Sequence, residues 1–182
     1  MATAFANQLT NRNFLSPAAF QFTITKTPKV SFFCTSASIP QILFSTNTQP
    51  SYLKDIDVPG EKLDYDDLIV RFLVDEDLKN YMAIHNWMTG IGYPESLQDF
   101  KTETTKPDTS RDMNLQFSDG SLSILNSNFR TNAIVKFKDL FPVALTSLEF
   151  DTSVTDIQYF TAQATFKYLV YNIVAEDGRT RL

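Results

Sequence analysis

A long strand pattern runs from Tyr159 to Val174: apolar and polar side chains alternate in its first half, and Leu169, Tyr171 and Ile173 make its second half apolar on both faces. Successive side chains of a strand point to opposite faces, so this period predicts a long, half-buried β-strand. One face of that strand carries Phe160, Ala162, Ala164, Phe166, Tyr168 and Val170. Similar strand patterns recur at Phe20 to Ile24, Leu68 to Val74, Leu122 to Leu125 and Arg130 to Phe137. The chain is therefore predicted to be mainly β.

Turn residues predict how some of these strands connect. Lys26-Thr27-Pro28-Lys29 is typical of a turn, so Phe20 to Ile24 and Val30 to Ala37 are expected to pair as a β-hairpin. Leu140-Phe141-Pro142 predicts a corner, and the alternation after it predicts a strand from Leu145 to Thr152.

One segment has helical spacing instead. Asp75 is a good N-cap, and the acidic residues beside it suit the positive end of a helix dipole, which predicts a helix over 76–89. Gly90, Gly92 and then Pro94 end it. We expect this helix to pack on the outer face of the sheet through four side chains: Leu78, Tyr81, Met82 and His85.

The length of 182 residues indicates a single domain, 1–182. Prolines at 40, 50 and 59 interrupt any regular element in one long stretch, which we expect to leave the body as an extended loop or hairpin. Long segments of this kind are usually functional or bound to a partner. The expected non-core segments are an N-terminal arm (1–18), this protruding loop or hairpin (38–63), a polar loop (95–118) and a C-terminal tail (175–182).

The chain contains one His and one Cys, which limits its chemistry. A single imidazole excludes sites that need two, including H-E-x-x-H zinc enzymes, and a single thiol excludes an internal disulfide. No Ser or Cys motif accompanies His85, and Cys34 lies in an apolar strand. Neither residue is expected to be catalytic, because a general base needs a positioned partner.

The acidic residues give the one enzymatic alternative. Nine of the 21 acids lie between Asp55 and Asp77, and paired carboxylates can hydrolyse glycosides or bind a hard cation. A small carboxylate-dependent hydrolase therefore stays open, although a solvated loop followed by a helix N-terminus is the favoured interpretation. No glycine-rich phosphate loop occurs. We thus predict no catalytic residue, no metal and no cofactor.

Charge and hydropathy limit the kinds of partner that the chain is expected to bind. The formal net charge of -5 argues against a protein that grips a phosphate backbone. No apolar stretch approaches the roughly 18–20 residues of a membrane-spanning helix, so no membrane span is expected.

Several segments, in order, resemble the tail tube proteins of contractile-tailed bacteriophages. The resemblance spans most of residues 13–174. It begins with Asn13 to Pro17 followed by Phe20 to Ile24, and it continues with Phe32 to Pro40 and Lys54 to Leu63. The strand from Asp66 to Val74 and the Trp87-containing helix then resemble the family's central strand and single helix. Phe137 to Pro142, Phe150-Asp151 and the strand from Gln158 to Tyr171 complete the resemblance.

The resemblance implies an antiparallel β-sandwich or barrel-like subunit with one flanking α-helix. Six such subunits would form a ring, and rings would stack into a hollow tube inside a contractile sheath, a conduit for DNA ejection. Ring closure would pair exposed strand edges, which otherwise invite aggregation. We expect contacts between subunits or rings at Pro40, Lys54, Asp55, Asp57, Pro59, Glu61 and Lys62.

The implied partners are further copies of the chain, the tail sheath protein, and baseplate and tail terminator proteins. Genome DNA would pass through without specific binding. The protein would be a structural virion component, located in the tail and assembled in the host cytoplasm. A baseplate tube-initiator protein of the same fold is the alternative that this resemblance leaves open.

Overall fold

The computed structural model describes residues 14–26, 33–92, 116–151, 159–176 and 180. Most of the predicted N-terminal arm, nearly all of the polar loop 95–118 and most of the C-terminal tail lie outside these residues.

The described residues form nine strands and one helix, and every strand pair is antiparallel. The mainly β prediction with one flanking helix is therefore confirmed. The elements in chain order are β1 Phe20–Ile24, β2 Phe33–Ala37, β3 Ile42–Gln49, β4 Ile56–Tyr65, β5 Leu68–Leu73, α1 Lys79–Gly92, β6 Ser118–Leu125, β7 Thr131–Leu145, β8 Thr161–Lys167 and β9 Val170–Ala175.

The long strand β7 organises the larger of two sheets. The strand order is β1-β6-β7-β8-β5-β2, with β9 also paired to β7, while β3 and β4 form a separate two-stranded sheet. β8 pairs with Phe141 to Leu145 of β7, and β9 pairs with Ala133 to Lys138. β8 and β9 thus follow one another along the same edge of β7, with a break at Tyr168 and Leu169.

The hydrophobic core lies between two parts of this folded sheet, one containing β1, β6 and β9 and the other containing β8, β5 and β2, with β7 shared by both. Alternate residues of β5 and β8 are buried, and Phe166 of β8 lies 6.3 Å from the ring of Phe22 on β1. The predicted inward face of the C-terminal strand is confirmed at Ala162, Ala164 and Phe166. Burial of one such Phe stabilises the fold by about 1.5–3 kcal/mol.

Three strand predictions need correction. The expected hairpin of 20–24 with 30–37 is wrong, because β1 pairs with β6 and β2 with β5. The single strand expected from 159 to 174 is interrupted at Tyr168 and Leu169, opposite the bend of β7. No strand forms at 146–151; residues 152–158 lie outside the described part. Alternation predicts which face of a strand is buried but not which strand lies beside it.

The corner expected at 140–142 is a bend inside the continuous strand β7. Asp139 has a φ of 54°, and the register of β7 with β8 shifts between Pro142 and Ala144. Such irregularities bend a strand and increase its twist. They carry β7 from its pairing with β9 to its pairing with β8.

The face of the helix that contacts the sheet was also predicted wrongly. The helix begins at Lys79, and its buried residues are Asn80, Ile84 and Trp87. Of the four predicted contacts, Tyr81 does pack against the core, and its hydroxyl donates to the Thr146 carbonyl oxygen over 3.1 Å. Leu78, Met82 and His85 are exposed.

Local geometry explains the error. Leu78 precedes the helix with a φ of 56° and so cannot belong to a helical stripe. Asn80, one turn before Ile84, is fully buried because its amide bonds backbone groups. A polar residue therefore occupies the inward face that hydrophobic periodicity would give to an apolar one.

Candidate assembly surface

Many exposed apolar side chains belong to the hairpin of β3 and β4, here called the protruding hairpin (Ile42 to Tyr65). Its strands pair from Ile42 with Tyr65 at the root to Gln49 with Ile56 near the tip. Almost all of its residues are exposed or half-buried. The structure thus shows a two-stranded hairpin within the segment for which sequence predicted a loop or hairpin.

One face of the root half of the hairpin is apolar. Phe44 pairs directly with Leu63, and Ile42 lies two residues before Phe44 on the same strand. These three side chains are about half exposed, at 50%, 50% and 48% respectively. The tip adds Tyr52, which is fully exposed, and Leu53 at 92%. Exposed apolar side chains that are grouped as in the root half mark interaction sites.

The residues expected to make contacts between subunits do not share one environment. Lys54, Asp55, Asp57 and Pro59 are exposed on the outer half of the hairpin, while Glu61 and Lys62 are exposed at its middle. Thr48 Oγ1 donates to Asp57 Oδ1 across the hairpin over 3.4 Å. Pro40 is buried against the body before β3 begins, so within one subunit it belongs to the root of the hairpin rather than to its surface.

The middle of the hairpin carries a bulge. The register shifts between Phe44 and Thr46, where Ser45 faces the longer stretch Gly60 to Lys62 of β4. The Ser45 hydroxyl accepts from the Lys62 N–H over 3.3 Å and lies 3.1 Å from the Lys62 carbonyl oxygen, to which it donates. A Cβ at Gly60 would lie 2.3 Å from Ser45 Oγ. Only glycine therefore allows the two strands to approach this closely.

Two tyrosines contact the root of the hairpin. The Tyr171 hydroxyl donates to the Pro40 carbonyl oxygen over 3.2 Å, and the Tyr168 hydroxyl donates to the Asp66 carbonyl oxygen over 2.8 Å. Burial, followed by neighbouring negative groups, raises the pKa of Tyr168 far above its ordinary range, and burial likewise raises the pKa of Tyr171. Both hydroxyls are therefore protonated donors at neutral pH.

A second exposed aromatic patch lies at the opposite end of β5, and sequence reasoning missed it. β5 begins at Leu68, two residues being left between it and the hairpin, and it ends beside Phe160, whose carbonyl oxygen accepts from the Val74 N–H over 2.9 Å. The rings of Phe150 and Phe160 are 4.8 Å apart, and Phe150 is 74% exposed. Tyr159 is 79% exposed. Alternation placed Phe160 on the buried face because the predicted strand began at Tyr159, two residues before β8 begins at Thr161.

The surroundings of His85 offer no catalytic constellation among the described residues. His85 lines a shallow groove of about 360 Å³ with Tyr81, Met88, Thr89, Gly92 and Leu145, and none of these supplies a thiol or carboxylate. Cys34 is half-buried and donates to the Ser36 carbonyl oxygen over 3.5 Å. Burial raises the pKa of its thiol, which disfavours the reactive thiolate.

The predicted acidic stretch divides among three places. Asp55, Asp57, Glu61 and Asp64 lie on the hairpin or its tip, Asp66 and Asp67 lie between β4 and β5, and the group at 75–77 precedes the helix. There Asp77 pairs with Lys79, and this hydrogen bond lowers the pKa of the exposed Asp77 carboxyl. Within the described ranges, no three His, Cys, Asp or Glu residues are placed to hold a metal ion.

The outward faces of the central strands are mainly hydroxyl, amide and cationic. On the β1–β6–β7 side, Thr23 and Ser121 hydrogen-bond through their hydroxyls over 2.7 Å, and Ser121 pairs with Lys136. On the β5–β8 side, Arg71 Nε donates to Gln163 Oε1 over 3.0 Å. In the part of the chain that the structure describes, no helix is long and apolar enough to cross a membrane.

Comparison with known proteins gives one family and several structural relatives. The profile of a family described as "Phage tail tube protein" matches residues 2–174. The "Tail tube terminator protein" of Enterobacteria phage T4 is 43% identical over 58 residues, which are 30% of this chain. That match spans only 33% of the T4 protein's own length.

Solved structures with a similar fold cover nearly the whole chain at low sequence identity. The tube-terminating cap of the anti-feeding prophage aligns with a TM-score of 0.63 at 20% identity, covering 96% of this chain and 99% of the cap. The sheath/tube terminator of the PVC extracellular contractile injection system aligns at 0.58 and 16%, covering 91% and 100%. A chain of the PVC sheath–tube complex aligns at 0.55 and 14%, covering 89% and 92%. These likenesses show a shared fold.

Proposed function

Because the chain belongs to the phage tail tube protein family, we propose that it forms a ring that caps the tail tube of a contractile phage tail, as a tube terminator. The main support for this proposal is the 43% identity over 58 residues with the T4 tail tube terminator. The fold likeness to two terminator proteins, each matched over at least 99% of its own length, supports the same choice.

Ring formation is supported by surfaces that an isolated subunit leaves open. Among the described strands, β1, β2 and β9 each have one edge without a strand partner. The protruding hairpin also exposes Phe44, Leu63 and Leu53. Pairing of edges between subunits would satisfy backbone groups and remove sites of aggregation. We propose six subunits in the ring, as the family resemblance implies.

The proposed role toward DNA is passive. Acidic residues concentrate on the protruding hairpin and before the helix, whereas the described central strand faces carry mainly hydroxyl and amide groups with a few Lys and Arg. Firm attachment to DNA needs many cationic contacts to phosphate. If the outward face of either the β1–β6–β7 side or the β5–β8 side lined the lumen of the ring, DNA would pass with weak, nonspecific contact. The further proposed partners are tube, sheath and baseplate proteins, with assembly in the host cytoplasm before incorporation into the virion tail.

A stacking tube subunit is the second candidate, because the family description is that of the tail tube protein itself. Both candidates are structural and assign no catalytic function to His85 or to the 55–77 carboxylates. They differ in one physical property: a tube subunit offers a complementary surface at both ends of its ring, whereas a terminator stops further stacking.

A tube-capping assay separates the two. Purified protein would be mixed with preformed tubes of the cognate tail tube protein and imaged by electron microscopy with a gold label on this chain. We expect label at a single tube end and arrest of elongation there. Label along the length of the tubes, or long homopolymeric tubes of this protein alone, would contradict the terminator assignment and support the tube subunit.

A further inference from the structure

Both sides of the protruding hairpin's root are fastened by one short stretch of chain. Tyr171 bonds the carbonyl of Pro40, two residues before β3 begins, and Tyr168 bonds the carbonyl of Asp66, directly after β4 ends. The Asp66 N–H donates to the Gln41 carbonyl oxygen over 3.1 Å and joins the two sides. The incoming and outgoing chain therefore share one clamp.

The same two rings anchor this clamp to the core. Phe137 of β7 is 1% exposed, and its ring lies 5.1 Å from Tyr168 and 5.8 Å from Tyr171. On the hairpin side, the ring of Tyr65 lies 6.1 Å from Tyr168 and 5.6 Å from Tyr171. Edge-to-face and tilted aromatic pairs at these distances are favourable beyond simple burial. The cluster thus connects the hairpin root to the central strand.

The position of the pair in the fold makes this connection stiff. Tyr168 lies in the break between β8 and β9, and Tyr171 is the second residue of β9. The backbone around them is fixed on both sides, since the Leu169 N–H donates to the Lys138 carbonyl oxygen over 3.0 Å and Tyr171 pairs with Phe137. A hairpin attached only through its two connecting strands would lack this lateral support.

We propose that Tyr168 and Tyr171 are positioning residues that hold the protruding hairpin at a fixed angle, so that its apolar face is already aimed at the neighbouring subunit before assembly. This inference rests on the proposed ring assembly. A hairpin free to swing would lose conformational entropy on docking, and a preorganised one avoids that cost. The two hydroxyls therefore strengthen assembly without touching the partner.

The test compares Tyr168→Phe, Tyr171→Phe and the double variant with Tyr159→Phe, which removes the hydroxyl of a 79% exposed tyrosine away from the hairpin. Hydrogen exchange of the dilute, unassembled chain would be measured for amides of β3 and β4 and, separately, of β5 and β8. We expect hairpin exchange to rise about fivefold in each single variant and about thirtyfold in the double variant. Core exchange and the Tyr159→Phe variant should match the parent chain.

Assembly is measured in parallel, as the protein concentration at which rings half-form. The double variant should need about tenfold more protein than the parent. Unchanged hairpin exchange in the double variant would overturn the proposal, and so would an equal rise in core exchange, which would indicate a general stabilising role. A loosened hairpin with normal ring formation would overturn the positioning role while leaving ring assembly intact. If the variants loosen the hairpin but the parent chain itself never forms rings, the result would instead contradict the proposed function.

Discussion

The Asn80 side-chain amide donates to the Leu73 carbonyl oxygen over 2.7 Å, which ties the start of the helix to the end of the central strand β5. The Asn80 Oδ1 accepts from the backbone N–H of Asp75 at 3.2 Å and of Tyr81 at 2.8 Å. One fully buried side chain thus satisfies three backbone groups at the strand-to-helix connection. It fixes the rotation of the helix about its axis.

Replacement of Asn80 by Ala should therefore destabilise the protein strongly. The change leaves the Leu73 carbonyl and the Asp75 N–H without these bonds, and unsatisfied buried groups cost about 1–3 kcal/mol each. We expect a loss of about 2–4 kcal/mol, measured by urea unfolding with the fluorescence of the single, buried Trp87. Asn86→Ala, on the exposed side of the same helix, is the matched control. A loss below about 0.5 kcal/mol for Asn80→Ala would show that the bonds do not hold the connection.

The helix face gives a second prediction. Ile84 is 2% exposed, whereas Met82 is 42% exposed on the same helix. Ile84→Ala should cost about 2–5 kcal/mol because it leaves a cavity in the core, and Met82→Ala should cost under about 1 kcal/mol. Thermal unfolding of both variants under identical conditions would measure the difference. A loss for Met82→Ala that equals or exceeds the loss for Ile84→Ala would contradict the described packing of the helix.

Sequence predicts the features of this fold that local patterns determine, and it misses those that depend on contacts between distant residues. The alternation that includes Ala162, Ala164 and Phe166 correctly predicted a buried face, because burial follows the strand period. Strand partners such as β1 with β6 depend on contacts across about 100 residues, which local patterns do not contain. The buried face of the helix was mispredicted because of Asn80. Its side chain is buried and bonds backbone groups, whereas hydrophobic periodicity places a polar residue on the exposed face.

For the assembly surface too, sequence predicted the local feature and missed the distant contacts. Its proline-interrupted sequence indicated a segment that leaves the body, and the hairpin lies there. The tyrosines at its root come from residues 168 and 171, about 100 to 130 positions away in the chain from their partners. No sequence pattern links residues so far apart without an alignment of relatives. The exposed Phe150 was likewise assigned to a strand by alternation, although residues 146–151 form none.

The bulge of the protruding hairpin should be sensitive to one methyl group. In Gly60→Ala the new Cβ would meet Ser45 Oγ at 2.3 Å and the Ser45 backbone carbonyl oxygen at 2.6 Å. The strands must separate locally, so hairpin amides should exchange at least about tenfold faster while body stability stays within about 0.5 kcal/mol. Gly92→Ala is the control, since a Cβ there meets nothing within 4 Å. Unaltered hairpin protection in Gly60→Ala would contradict the described close approach.

The hairpin root should also open at alkaline pH. Burial raises the pKa of Tyr168 and Tyr171 above their ordinary value of 10.0, so the folded chain holds these protons more tightly than the unfolded chain. Stability from this source is complete below about pH 10 and is lost as pH rises beyond it. Circular dichroism during urea unfolding from pH 9 to 11 should show a decline that the Tyr168→Phe/Tyr171→Phe variant reduces. An identical decline in parent and double variant would assign the effect to other groups.

We propose that this chain assembles into closed rings through its protruding hairpin. Cryo-electron microscopy of the purified full-length protein, beside a Phe44→Asp/Leu53→Asp variant, tests it most directly. Both substitutions lie at exposed positions, so the variant should fold normally, as checked by Trp87 fluorescence. We expect rings of six subunits for the parent chain and monomers for the variant. Monomers of the parent at high concentration, or rings of both proteins, would contradict it.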